Sequence, residues 1–580
     1  MARDPFESLP EDLPIDVMPA SNEEFYPERP TDEQIRIMRL ADEVTETARR
    51  KVGMSRRDFV RTAAAMAIGV WSIDKVTGGT WGNYAIAGPL GDDPTAADMC
   101  SMNYPNAQLA NLAGEFILDL QSHHVMTDGF WRVAQPVHWA VIALLFGAAS
   151  NRGGELDPTE NTGRAHYFKE LFLDSSTTAT VLSPVPSSPD LISPLPTYEA
   201  VQTAALVKEL SGTDRTVVHA YVMPNRGGTK QTGAAPLFLQ EELDAMMEKG
   251  LAYKDVLRGF KVYSPYGDVP FASGFLHDDD IGLALCEQVL AVSAATDGLV
   301  PPTLASHKGP QLPGFDENSN SCQDVGGAAR QYPGVNFIIY HSGAGGGTSA
   351  PYPGNDAVVP NEISVNSLIR SLRVNGMDAE SHILTGLEHG NSPNVYAEIG
   401  STWRGVMRNA NNASHLLGKL IKHVGAQRVV WGTDSLWYGS PQPEIVLLRS
   451  LVMTDAAKEL YNLPYGLDGD RFDPTKNALV GSSYLSPHPA VPGWPTDGEP
   501  HPDRTIRNGI FGRNAAVPYR IDVDAVHGLI ACDDVNEMRN QYYVNQYTDL
   551  ERAPGRTNTI YGPRTMEELQ RKKANEPWLP

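Results

Sequence analysis

Phe116-Ile117-Leu118-Asp119-Leu120-Gln121-Ser122-His123-His124 is the stretch on which the fold turns. An apolar run broken by single polar residues and closed by two histidines reads as a buried strand that ends in chemistry. Side chains alternate along a strand, so Asp119, Gln121 and His123 share a face, which this register points into a barrel mouth. His124 has the opposite parity, and only a local bulge would bring it round.

Seven similar runs follow, each after a stretch long enough to hold a helix, which is the alternation of a parallel α/β fold. The eight runs are 116–121, 180–183, 216–223, 259–263, 299–306, 336–340, 394–399 and 428–433. FIIY and VVWG are continuous apolar runs, as strands buried on both faces should be. Eight such units predict an α/β fold, a closed (β/α)8 TIM barrel with long loop insertions and a helical N-terminal extension. Pro/Gly/Ser-rich stretches at 184–196, 310–320, 343–360 and 464–502 mark elongated loops that would roof the site. The expected organisation is an extension over 1–54, a signal or helix over 55–87, the barrel over 88–521, and a tail over 522–580 packing outside.

The strand ends carry the chemistry. The fifth run, PPTLASHKG, ends in His307; the sixth, NFIIYHSG, in His341; the eighth, VVWGTDS, in Asp434. Taken singly, each histidine is ordinarily a hydrogen-bonded structural residue. Their order, after strands one, five and six, gives them weight. Imidazoles with one carboxylate suit a catalytic zinc or similar divalent ion that lowers the pKa of a bound water toward neutrality.

In barrel order, the segments FILDLQSHHV, GFKVYSPYG, SHKG, NFIIYHSG, NVYAEIG, VVWGTDS and IFGRNAA resemble the amidohydrolase-related branch of the amidohydrolase superfamily over residues 114–519. That branch contains TIM-barrel metal hydrolases and non-oxidative decarboxylases. The resemblance implies one divalent metal ion, zinc first and manganese or another ion after it. His123 and His307 would be ligands, and Asp434 a ligand that also handles the proton of the attacking water. His341 would orient that water or polarise the substrate, or ligate in a binuclear site. Gln121 stands where the family has the first histidine of an H-x-H pair; an amide oxygen coordinates, but more weakly than imidazole. Lys261 falls where binuclear relatives carry a carboxylated lysine, and otherwise pairs with a carboxylate or meets substrate.

Tyr263, Trp403 and Arg404 lie near strand ends as candidate pocket residues, the planar fork of Arg404 matching a substrate carboxylate. Glu398 reads as a group orienting a histidine or as a satisfied barrel carboxylate. His415 and His423 follow helical spacing in NASHLLGKLIKHVG and read as structural, and Asn514 reads as a packing and capping residue. The leading functional expectation is a metal-dependent hydrolase attacking an ester, lactone or amide carbonyl. The alternatives are a non-oxidative decarboxylase of an aromatic or unsaturated carboxylic acid, and an inactive barrel acting in binding.

A formal net charge of -23 over 580 residues argues against a nucleic-acid partner, and the 4 cysteines show no C-x-x-C spacing. A small-molecule substrate, no stable membrane insertion and a homo-oligomer are expected. Ser55-Arg56-Arg57-Asp58-Phe59-Val60, an Ala-rich apolar run and Ala85-Ile86-Ala87 resemble a twin-arginine export signal, hence a periplasmic location. A soluble helix in a cytoplasmic protein is the alternative, since Ser55 and Asp58 also form a capping box and residues 31–50 read as helical.

Overall fold

Short apolar segments with parallel partners on both sides build the centre of the molecule. The computed structural model describes residues 31–52 and 55–56, positions 68, 72 and 76, and, with interruptions, residues 115–538; the longest interruptions are 143–158, 345–364, 373–393 and 470–504. Eight strands, β1 (Leu118–Ser122), β2 (Ala179–Leu182), β3 (Thr216–Tyr221), β4 (Leu257–Val262), β5 (Thr303–His307), β6 (Asn336–Tyr340), β7 (Val395–Glu398) and β8 (Val429–Val430), lie in sequence order. All seven successive pairs are parallel.

The ring closes because β1 also bonds the chain leaving β8. Leu120 N donates to Trp431 O at 3.1 Å, and Asp434 N to Gln121 O at 2.9 Å. The result is a (β/α)8 barrel, each of the eight predicted runs supplying one strand. Helices cover it: Thr197–Ser211, Leu239–Ala252, Asp280–Ala295 and Ala410–His423 follow β2, β3, β4 and β7. Their ends have local causes. Asp279 caps Asp280–Ala295 by accepting from Ile281 N and Gly282 N, and Gly212, at φ 76°, ends Thr197–Ser211 in a left-handed turn.

One expectation is corrected. β1 carries a register irregularity between Asp119 and Ser122, so alternation does not run unbroken to its end. Leu118 and Leu120 pack inside the barrel with Val181, Ala305, Ile338, Tyr340, Val430 and Tyr519. Asp119 therefore faces the opposite side and accepts from Thr433 N at 3.1 Å and Thr433 Oγ1. After the irregularity, Gln121 and His123 turn into the mouth, while Ser122 meets Tyr167 OH at 3.0 Å in the outer layer.

At the other end the chain over 509–519 closes the barrel, with Asn514 Nδ2 donating to Ala426 O and Val429 O at 2.8 Å each. The described part of the tail joins the body through Asp533, which pairs with Arg215 at 2.5 Å. The expected N-terminal helix is present as Asp32–Val52, its start held by reciprocal Thr31–Gln34 bonds. Most of the twin-arginine-like segment, with its Ala85-Ile86-Ala87, lies outside the described residues. Among the described residues no helix is long and apolar enough to cross a membrane.

Candidate functional site

The β1–β8 seam sets the site. His123 N donates to Ser435 O and Leu436 N to His123 O, a ladder that lays the Gln121 and His123 side chains against that of Asp434. His123 Nε2 lies 3.2 Å from Asp434 Oδ1, and Gln121 Nε2 donates to the same oxygen at 2.8 Å. Ser401 Oγ donates to Asp434 Oδ2 at 2.6 Å. Burial alone would raise the Asp434 carboxyl; the His123 bond, the nearby His341 and the Ser401 hydroxyl outweigh it and hold the group below the usual carboxylate range.

His341 and Asp434 both adopt left-handed backbone, at φ 59° and 60°. Residues other than glycine hold this conformation only where neighbours impose it, and such strain gathers at functional sites. Here the neighbour of His341 is Glu398, whose Oε2 accepts from His341 N at 2.9 Å; Thr402 Oγ1 donates to His341 O at 2.7 Å. Glu398 thus orients a histidine through its backbone rather than its ring. The ring's Nε2 stands 3.4 Å from Gln121 Nε2, and its Nδ1 has no hydrogen-bond partner among the described residues.

On the β4–β5 side, His307 packs edge-on to His341 with ring centroids 4.9 Å apart, and stacks on Tyr263 at 5.5 Å. Its Nε2 meets Pro310 O at 3.1 Å, so that nitrogen is already engaged. Tyr263, Tyr221, Tyr266, Met223 and Phe315 form an apolar wall separate from the main core. Lys261, on β4, is fully buried beneath this wall, its Nζ 3.3 Å from the Tyr340 ring centroid and 4.6 Å from that of Tyr263.

A second wall joins two residues that the sequence singled out, Trp403 and Arg404, to others that it did not. Trp437 stacks on His123 at 5.4 Å, and Tyr438 OH lies 3.1 Å from Ser401 Oγ. Arg404 lays its guanidinium 4.2 Å from the Tyr438 ring centroid and bonds Glu444 at 2.8 Å. Trp403 is fully buried in the main core with Nε1 on Glu444 O, so it supports this wall from behind. Ser401 is the notable omission, since a serine three residues past the end of β7 carries no spacing signal.

His124 points away, as its parity implied, and bonds Thr203 Oγ1 at 2.8 Å. His415 packs in the outer layer against Tyr461 OH at 3.1 Å.

The donor set can be tested against a divalent ion. His123 Nδ1 lies 2.7 Å from Ser183 O, which obliges it to donate. With Nδ1 so engaged, Nε2 is the nitrogen that faces the Asp434 carboxylate, and a proton or a cation shared between the two atoms would join them. Their 3.2 Å separation matches two donors sharing an ion at about 2.0–2.2 Å from each. Gln121 Oε1 is buried without a hydrogen-bond partner among the described residues, which leaves an amide oxygen to offer. His123 Nε2 and Asp434 Oδ1 therefore fit such an ion, whereas Gln121 turns its amide nitrogen, and not Oε1, to that carboxylate oxygen. Among the described residues no group of three or more His, Cys, Asp or Glu is arranged to hold one.

No family model matches the chain, and no curated protein matches it. Several solved structures resemble it. A 5-carboxyvanillate decarboxylase from Sphingomonas paucimobilis is 10% identical, with a TM-score of 0.36, over 70% of this chain and 99% of that one. A dihydroxybenzoic acid decarboxylase from Polaromonas sp. JS666, holding manganese and the inhibitor 2-nitroresorcinol, is 12% identical at a TM-score of 0.35, over 60% and 98%. An amidohydrolase II is 13% identical at 0.31, over 59% and 95%. Likeness at that level transfers no activity, substrate or metal to this chain.

Proposed function

We propose that the chain is a divalent-metal-dependent hydrolase acting on an ester, lactone or amide carbonyl, zinc being the first candidate ion and manganese the next. The carrying observation is the pair His123 Nε2 and Asp434 Oδ1, face to face at the strand ends of a closed barrel where such sites are built. His123 and Asp434 would hold the ion, with Gln121 Oε1 joining on rotation of its amide and His307 on leaving Pro310. The ion supplies Lewis-acid polarisation and makes water acidic enough to attack at neutral pH.

The chain's own groups do the rest. Asp434 takes the proton of the attacking water, its oxygens aimed by Gln121 and Ser401. His341, fixed by Glu398 and Thr402, polarises the carbonyl or orients the water. Trp437, stacked on His123, keeps bulk water off that ring.

A second reading, loss of carbon dioxide from an aromatic or unsaturated carboxylic acid, is favoured by the aromatic wall beside Lys261. Protein purified without chelators is assayed by elemental analysis and on a panel of esters, lactones and amides in 18O-labelled water. Bound divalent metal with label in the product supports hydrolysis; labelled carbon dioxide from carboxyl-13C acids supports the second reading. Metal-free protein that neither zinc nor manganese activates sinks both and leaves a binding role.

We further propose export to the periplasm on the resemblance of residues 55–87 to a twin-arginine signal. Fractionation of cells carrying the parent or Arg56→Lys with Arg57→Lys tests it; a location the substitutions leave unchanged sinks the signal, and a parent found in the cytoplasm leaves the cytoplasmic reading.

A further inference from the structure

Three cations near the strand ends have different surroundings. Lys308 bonds both oxygens of Asp324, at 3.0 and 2.9 Å, and Ser319 O at 2.6 Å. Arg404 is engaged by Glu444 and by the Tyr438 ring. Lys261 is fully buried, and its Nζ has no hydrogen-bond partner among the described residues.

The carboxylates whose fields reach Lys261 are occupied. Glu398 accepts from His341 N and Gly400 N, while Asp434 accepts from Gln121 and Ser401. What surrounds the amine is aromatic. Tyr340 is locked by its hydroxyl on Leu120 O at 2.7 Å, and Tyr263 by its hydroxyl on Pro184 O at 3.0 Å. Ring faces attract an ammonium but accept no strong hydrogen bond, so among the described residues its three donors go unmet. Burial accordingly holds the amine well below its ordinary value, and Glu398 and Asp434 only partly offset this.

We infer that Lys261 anchors an anionic group of the substrate, a carboxylate or oxyanion, while the substrate's body lies against the wall of Tyr221, Tyr263, Tyr266 and Phe315. This rests on reading the strand-end mouth as the binding site and is independent of the metal chemistry. Of the two candidate cations in the sequence, the structure thus favours Lys261 over Arg404, which already has its carboxylate.

Calorimetric titration of the full chain with benzoate and with its neutral counterpart benzamide tests the inference. The intact protein should prefer benzoate by about tenfold or more, as charge-assisted hydrogen bonds imply. Lys261→Met should erase the preference, and Arg404→Met should keep it. Because a thioether suits an aromatic cage, Lys261→Met should melt no lower than the parent. A preference retained in Lys261→Met, one lost only in Arg404→Met, or no benzoate binding at millimolar concentration overturns the inference. Metal content, measured on the same samples, reports on the hydrolase reading separately.

Discussion

Gln121 Nε2 donates to Asp434 Oδ1 at 2.8 Å across 313 positions of chain, and the same oxygen faces His123 Nε2 at 3.2 Å. One carboxylate oxygen is thus the meeting point of both halves of the barrel. Asp434→Asn keeps the shape but removes the charge and the proton acceptor. It should lower kcat/KM by about 10²–10⁴-fold on the substrate the panel identifies, with an unchanged melting temperature. Undiminished turnover would remove Asp434 from the chemistry.

Ser401 fixes the other oxygen of Asp434, and Tyr438 in turn meets Ser401. Groups that orient a ligand from behind typically alter metal affinity or activity by about 10–100-fold when removed. Ser401→Ala should fall in that range and Ser401→Thr should recover most of it, read by competition with a chromophoric chelator. Equal affinity and activity in all three proteins would show the hydroxyl to be incidental.

His277 is sandwiched with Phe275 at 5.6 Å and Phe337 at 6.0 Å, and burial pulls it down to about 4, with Asp324 opposing and Lys308 adding to the shift. Between about pH 6.5 and 4 the unfolded chain takes up a proton that the folded one refuses. Stability therefore falls as pH drops through that window, by on the order of 3 kcal/mol from this residue. Urea unfolding at stepped pH should show a shallower slope for His277→Phe. An identical slope would mean that the folded protein protonates this ring normally.

Cys286 and Cys322 are free, and burial pushes both thiols up to about 12. At pH 8 they should resist iodoacetamide in the native protein and react once it is unfolded, since the thiolate is the nucleophile. Peptide mass mapping checks this, and native labelling at either position would contradict the packing around it.

Much of the site was legible because strand ends announce themselves. An apolar run that stops at His307, His341 or Asp434 says which end of the barrel the residue occupies, and each stands where its run predicted. Asp119 was misplaced because a bulge leaves no mark in the residue pattern; Leu118 and Leu120 took the inner face instead. Ser401 and Trp437 went unnoticed for a related reason. Their relevance comes from contacts with Asp434 and His123, which no local spacing encodes.

The sequence by itself determined the eight-stranded α/β architecture and which residues crowd its rim, because hydrophobic periodicity and strand length are local properties. Only the tertiary structure decided how those residues divide their work. Closure of β8 onto β1 brought His123, Gln121 and Asp434 to one point, while the Pro310 carbonyl engaged His307 and Lys261 was left without an acceptor among the described residues. Hydrogen-bond allegiances within a crowded mouth depend on distances of tenths of an ångström between segments hundreds of residues apart, and those are fixed by the packing of the whole barrel.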